Sequence, residues 1–318
     1  MPRCGRGSHV RPLLTTIGSF PPLEGSPESM LQQVVEMQRG HRLDVFTDGE
    51  QRGDILSMYA RLPGLGTAGG MPRVVGRIRP LEDPAGFEKV RDLEFLRRAF
   101  PDAKFKVGLT GPATFFLACV SGGVGPAYRG PLDPAMYDDL TEAIAPIAHE
   151  IAHRGAMLQI DEPILSQGMR DYGPALGRLD RIAAEASREA VSIHVCGGLV
   201  RSRALDALFR LERVGTLNLA FAGRAERENR ALLSAGPWEE HDLRLGAGCV
   251  DVQVARPEEV MTPQAVAEVL RQILGRVGRG HLGFVLPDCG FRATPPSLVP
   301  GLLKSLVDGF GEVFLEAS

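Results

Sequence analysis

The feature that most constrains this chain is an alternation along its whole length, in which short apolar or β-branched runs are separated by longer amphipathic segments. The runs are LLTTIGS (13–19), LDVFTDGE (43–50), KFKVGLTG (104–111), AMLQIDEP (156–163), AVSIHVCG (190–197), VGTLNLAF (214–221), LRLGAGCVDV (243–252) and HLGFVLPDCG (281–290). They have strand length and strand composition, and most end in Gly, Pro or acidic residues. Helical patterns fill the gaps. They run from Ser26, with Pro27 in the first turn, to Gly40, over 84–100, and from 134 to Arg154. Further ones cover 174–188, 201–210, Thr262–Val277 and the stretch after Pro296. Strands joined by helices form parallel sheets with right-handed crossovers, because a tight turn cannot return the chain to the same end. Eight such units predict a single (β/α)8 TIM barrel, with an open doubly wound sheet as the alternative. Two Gly- and Pro-rich excursions, 61–80 and 121–134, read as loops, or for the first a small hairpin.

At 318 residues, 44% hydrophobic and 24% charged, the chain can bury one large core. We read 13–318 as that barrel. Residues 1–12, basic and without the apolar centre of a signal peptide, read as a flexible tail. A net charge of −3 with dispersed arginines offers no patch for nucleic acid or an anionic membrane. No run approaches the ~18 apolar residues of a membrane span. The five scattered cysteines, Cys4, Cys119, Cys196, Cys249 and Cys289, match no disulfide scaffold. A reducing cytoplasm fits them, and there a cysteine near a histidine suggests a metal or a nucleophile.

Barrel chemistry sits at the C-terminal ends of the strands. The unusual polar residues fall there: Ser19, Glu50, Asp54, Asp161, Glu162, His194, Cys196, Asp251, Asp288 and Cys289. In VSIHVCG, His194 and Cys196 are two apart, so a strand points both to one face. Zinc takes thiolate and imidazole ligands, and a catalytic site keeps one position open. Cys289, followed by Gly290, is a candidate third ligand. Taken alone, H-x-C is more commonly a core histidine beside a buried cysteine. QIDEP equally fits a solvated acidic turn, and GEQRGD a surface turn of mixed charge. Cys119 and Cys249 lack such company and read as small buried hydrophobes.

Together, LLTTIGSFP, DVFTDGEQRGD, VGLTGPATF, LQIDEPIL, IHVCGG and LPDCGFRAT occur in an order that resembles the catalytic C-terminal barrel of cobalamin-independent methionine synthase. The resemblance covers nearly the whole chain from Leu13. It implies zinc held by His194, Cys196 and Cys289, and homocysteine whose thiol is deprotonated for methylation. It implies that Ile17 and Ser19 hold the substrate carboxylate and that Glu50 and Asp161 pair with its ammonium group. Asp54, Glu162, Asp251 and Asp288 take supporting positions behind these.

Three positions depart from the family pattern. Ala220 stands where the family has a glutamate as fourth zinc ligand, which leaves three protein ligands or a substitute such as Glu226. Gln253 replaces a histidine that acts as an acid near the folate leaving group. Ala118 replaces a tryptophan that stacks on the pterin. With two folate-handling residues missing, the expected donor is methylcobalamin or a methylated corrinoid on a carrier protein. Its cob(I)alamin leaving group needs no protonation. The alternatives are a coenzyme M-like thiol acceptor, a uroporphyrinogen-decarboxylase-like barrel enzyme without a metal, and a zinc- or corrinoid-binding module without turnover.

Overall fold

The computed structural model describes residues 11–53, 56–69 and 71–315. The first half contains β1 (Leu13–Leu14), α1 (Pro27–Gly40), β2 (Leu65–Ala68), β3 (Met71–Val74), α2 (Glu88–Ala99), β4 (Lys106–Thr110), α3 (Pro112–Gly122) and α4 (Pro134–His153). Then follow β5 (Met157–Asp161), α5 (Gly173–Ala183), β6 (Val191–Val195), α6 (Ala204–Leu208) and β7 (Thr216–Ala220). The chain finishes with α7 (Ala235–Glu240), β8 (Arg244–Gly248), α8 (Pro263–Val277), β9 (Leu282–Leu286) and α9 (Val299–Phe314).

Seven strands form one parallel sheet in the order β1-β9-β8-β7-β6-β5-β4. Every residue of β4, β6 and β7 is buried, as expected for strands covered on both faces. The helices supply the cover through apolar stripes; in α8 the buried residues are Val266, Ala267, Val269, Leu270, Ile273 and Val277. The start of α1 is the one the sequence suggests: the Ser26 hydroxyl accepts from the Ser29 N–H, with Pro27 in the first turn. The 61–80 excursion contains the antiparallel hairpin β2–β3.

The run at 43–50, expected to be a full strand, is reduced to one parallel bridge between Phe46 and Phe105. Its backbone nevertheless reaches both edges of the sheet. The N–H groups of Asp44 and Val45 donate to the Leu14 carbonyl at 2.9 and 3.2 Å. On the other side, Phe46 donates to Lys104 O and accepts from Lys106 N, both at 2.9 Å. Beyond Phe46 a side chain takes over from the ladder. Gln38 of α1 donates to Thr47 O at 2.9 Å and accepts from Thr47 N–H at 3.0 Å. An amide side chain carries the same donor and acceptor as a peptide, so it satisfies the groups that strand pairing would otherwise serve.

Helix α3 has no counterpart in the sequence reading, and neither does the short α7. PATFFLACV is apolar nearly all round, so it shows no polar face from which a helical period could be read. The start of α3 is held by Glu162, whose carboxylate accepts from Ala113 N–H (2.7 Å), Thr114 N–H (2.8 Å) and the Thr114 hydroxyl (2.6 Å). Gly111 makes room for it, because a Cβ there would lie 2.2 Å from the Glu162 carboxyl carbon. Gly111→Ala is therefore expected to cost about 1–3 kcal/mol through overpacking. A lowered urea midpoint at unchanged m-value checks it.

Within the expected tail, the Arg11 guanidinium donates to both Asp44 oxygens at 2.6 and 2.8 Å and lies 5.5 Å from the Phe310 ring. Residues 1–10 of that tail lie outside the described residues. Among the described residues no helix is long and apolar enough to cross a membrane.

Candidate metal and substrate site

The sheet register sets Asp161, His194 and Asn218 side by side on β5, β6 and β7. His194 is 3% exposed, and its Nδ1 lies 3.2 Å from the Asn218 carbonyl. A carbonyl only accepts, so Nδ1 carries the proton and Nε2 offers a lone pair. That Nε2 is buried and has no hydrogen-bond partner among the described residues. The ligand atoms of His194, Cys196 and Cys289 all lie within 4.8 Å of one another. A hydrogen bond from the Cys196 thiol pulls Cys289 down. The same hydrogen bond and burial push Cys196 up. A bare buried imidazole nitrogen, a ready thiolate and a second thiol make a donor set that fits zinc. Cys119 and Cys249 are buried elsewhere, with their thiols pushed up by burial.

A cavity of about 210 Å³ joins these three residues to Ile17, Ser19, Glu50 and Asp161, so the residues expected to hold metal and amino acid share one space. Burial, with Glu50 adding to it against the pull of His194, pushes Asp161 up to about 7. Gly108 leaves room for this carboxylate, since a Cβ there would lie 2.8 Å from Asp161 Oδ2. Glu50 is 5% exposed with φ 53°, and burial raises its pKa. Its carboxylate sits 3.2 Å from Lys89 Nζ, which also reaches Asp48 at 3.4 Å.

A polar floor lies beneath the cavity. Lys106 Nζ donates to Thr16 O at 2.7 Å and to Gln159 Oε1 at 2.5 Å. Gln159 Nε2 donates to Ile17 O and Asp161 Oδ1, both at 2.8 Å, so one amide orients both walls of the site. Sequence reasoning missed Lys89, Lys106, Gln159 and Arg292. Lys106 and Gln159 carried a usable signal, because a polar residue inside a strand buried on both faces must find a partner. Lys89, in a helix rich in charges, carried none.

The supporting residues hold backbone. Glu162 caps α3, as described. Asp288 accepts from the N–H groups of Phe221, Ala222 and Gly223 at 2.5–3.1 Å, which fixes the loop after β7. Asp251 accepts from Gln253 N–H at 2.9 Å. Asp54 lies outside the described residues. A second cavity of about 200 Å³ meets the first at Cys196 and Cys289 and is lined by Ala220, Glu226, Asp251 and Gln253. Ala220, fully buried at the end of β7, lines this cavity together with the two thiols. Ala118 is buried within α3 and lines neither cavity.

The chain is similar to proteins of known family. Residues 22–309 match the family described as cobalamin-independent synthase, catalytic domain. A methionine synthase of Methanothermobacter marburgensis is 30% identical, with 94% of this chain and 99% of the relative covered. One of Methanocaldococcus jannaschii is 26% identical over 87% of this chain and 86% of the relative. Among solved structures, a B12-independent methionine synthase from Shewanella sp. W3-18-1 in complex with selenomethionine superposes with TM-score 0.75 at 18% identity, covering 97% and 99% of the two chains. A putative vitamin-B12-independent methionine synthase from Listeria monocytogenes gives 0.71 at 18% identity, covering 96% and 99%. On the match over 22–309 and the 30% identity across nearly all of both chains, this protein belongs to the cobalamin-independent synthase family and carries its catalytic domain.

Proposed function

We propose that this chain is a zinc-dependent methyltransferase that converts homocysteine to methionine, with a methylcorrinoid as donor. One observation carries the reading. A single cavity is lined by two thiols, a buried imidazole and two buried carboxylates. The platform is read as a (β/α)8 barrel, with residues 44–46 as the eighth stave because they hydrogen-bond to both sheet edges. The relatives named methionine synthase and the selenomethionine in the Shewanella structure, the selenium analogue of the product, support the same reaction.

His194, Cys196 and Cys289 would hold the zinc. When bound, it keeps a coordinating thiol deprotonated at neutral pH, where a free thiol of pKa ~8.5 is mostly protonated. The chain's own groups do the rest. Asn218 O orients His194, and Gln159 orients Asp161 toward the ammonium group that Asp161 and Glu50 bind. The Ile17–Ser19 turn faces the carboxylate. Burial of the site excludes water, which strengthens each charged contact. A coenzyme M-like acceptor carries no ammonium and would leave Asp161 and Glu50 unmatched. A metal-free decarboxylase has no use for paired thiols facing an imidazole. We place the reaction in the cytoplasm, where both cysteines stay reduced. The family's name points away from cobalamin; the corrinoid proposal rests on Gln253 and Ala118 standing in place of folate-handling residues.

The direct test is methionine formation by zinc-loaded protein supplied with homocysteine and a methyl donor. No methionine from any donor at full zinc occupancy overturns the reading.

Asp161→Asn is expected to raise the homocysteine KM roughly 10- to 100-fold, as loss of a charged partner does, while zinc content stays unchanged. Parallel KM and metal measurements separate the two. The pH dependence has a definite sign. Asp161, pushed up to about 7, gains its proton as pH falls through neutrality and loses the charge that binds ammonium. Homocysteine affinity should therefore weaken from pH 8 to pH 6 by more than release of the thiol proton alone requires, and that excess should disappear in Asp161→Asn.

A further inference from the structure

Among the described residues lining the substrate cavity, Arg292 is the one guanidinium. It stands in the turn after β9, three residues past Cys289, and is half-buried. Its Nη2 donates to the carbonyls of Glu50, at 2.8 Å, and Gly53. Two backbone carbonyls thus fix the plane of the group without neutralising it. No carboxylate among the described residues forms an ion pair with Arg292, and its Nε and Nη1 have no hydrogen-bond partner there. A guanidinium offers five donors in a rigid fork that matches a carboxylate. Here part of the fork is clamped and the rest faces the cavity.

Ser19 stands close by. Phe291 N–H donates to Ser19 O at 2.7 Å, which ties the Ile17–Ser19 turn to the turn carrying Arg292. The Ser19 hydroxyl fills the space above Gly290, where a Cβ would come within 2.0 Å of it, and it has no partner among the described residues. A fixed cation and a neutral donor therefore line the same cavity as the acids Glu50 and Asp161.

We propose that Arg292 is the specificity-determining residue that binds the α-carboxylate of a thiol-bearing amino acid, with the Ser19 hydroxyl as second donor. This rests on the thiol-methylation reading above. The cavity then reads both charges of a zwitterion. A thiol without a carboxylate leaves Arg292 desolvated and unmatched, which selects against it.

The test uses zinc-loaded protein and equilibrium binding of three thiols by calorimetry, with zinc measured in every sample. Homocysteine carries both charges, 4-sulfanylbutanoate only the carboxylate, and 3-sulfanylpropan-1-amine only the ammonium. Arg292→Gln should weaken homocysteine and 4-sulfanylbutanoate roughly 10- to 100-fold and leave the amine unchanged. Arg292→Lys should recover part of the loss, and Ser19→Ala should weaken the same two thiols to a lesser degree. Equal weakening of all three thiols would show that Arg292 only supports the Glu50 loop, and the proposal falls. Unchanged homocysteine binding in Arg292→Gln also overturns it, while the methylation reading stands. Wild-type protein that binds none of the three thiols defeats that reading and this proposal with it.

Discussion

The Cys196→Ala, Cys289→Ala double variant is expected to lose zinc and all methyl transfer. Wild-type protein should carry about one zinc per chain, in keeping with a single three-ligand catalytic site. Even residues behind metal ligands typically cost ~10–100-fold in affinity when removed, and this variant removes two of the three ligands themselves, leaving His194. Zinc affinity should therefore fall by well over 100-fold. Two measurements check it. Metal analysis after dialysis should find the variant empty, and added zinc should raise the wild-type Tm by mass action while leaving the variant's unmoved. The variant should remain folded, because both thiols are only half-buried and lie at the rim of the core. Full zinc occupancy in the double variant would send the metal elsewhere and overturn the assignment.

The second large effect concerns the donor. Methyl transfer from methyltetrahydrofolate leaves a nitrogen of high proton affinity, so a positioned acid helps, typically by ~10²–10⁴-fold. Gln253 borders the cavity that opens onto Cys196 and Cys289, and an amide cannot donate as an imidazolium does. Cob(I)alamin departs without a proton. With homocysteine and zinc-loaded protein, methylcobalamin should be turned over at least 100-fold faster than methyltetrahydrofolate, by the lower end of that range. Comparable rates with the two donors, or turnover of the folate alone, would assign the acid and the pterin platform to other residues. Gln253→His then gives a finer reading. It should raise the folate rate without changing the corrinoid rate.

The sequence alone carried the alternation of strands and helices, the capped start of α1, and the identity of the thiol and acid residues at the strand ends. These are local properties. Side-chain period, turn residues and the i, i+2 placement of His194 and Cys196 are written in neighbouring positions. It did not carry the shortening of the 43–50 strand, because the Gln38 amide that replaces its ladder comes from a helix face that reads as merely amphipathic. It hid α3, whose apolar circumference is a consequence of burial and leaves no period to detect. In the site, Asp161 and Glu50 could be named as candidates, but their charge state could not. That is set by burial, by Lys89 reaching Glu50 from α2, and by Lys106 and Gln159 beneath the floor. Likewise the FRAT stretch shows an arginine, while only the fold brings it against the Glu50 and Gly53 carbonyls. Which side chains exist at strand ends is a matter of order along the chain. Which of them meet, and with what charge, depends on contacts between residues up to hundreds of positions apart, and those exist only once the sheet has curled and the helices have covered it.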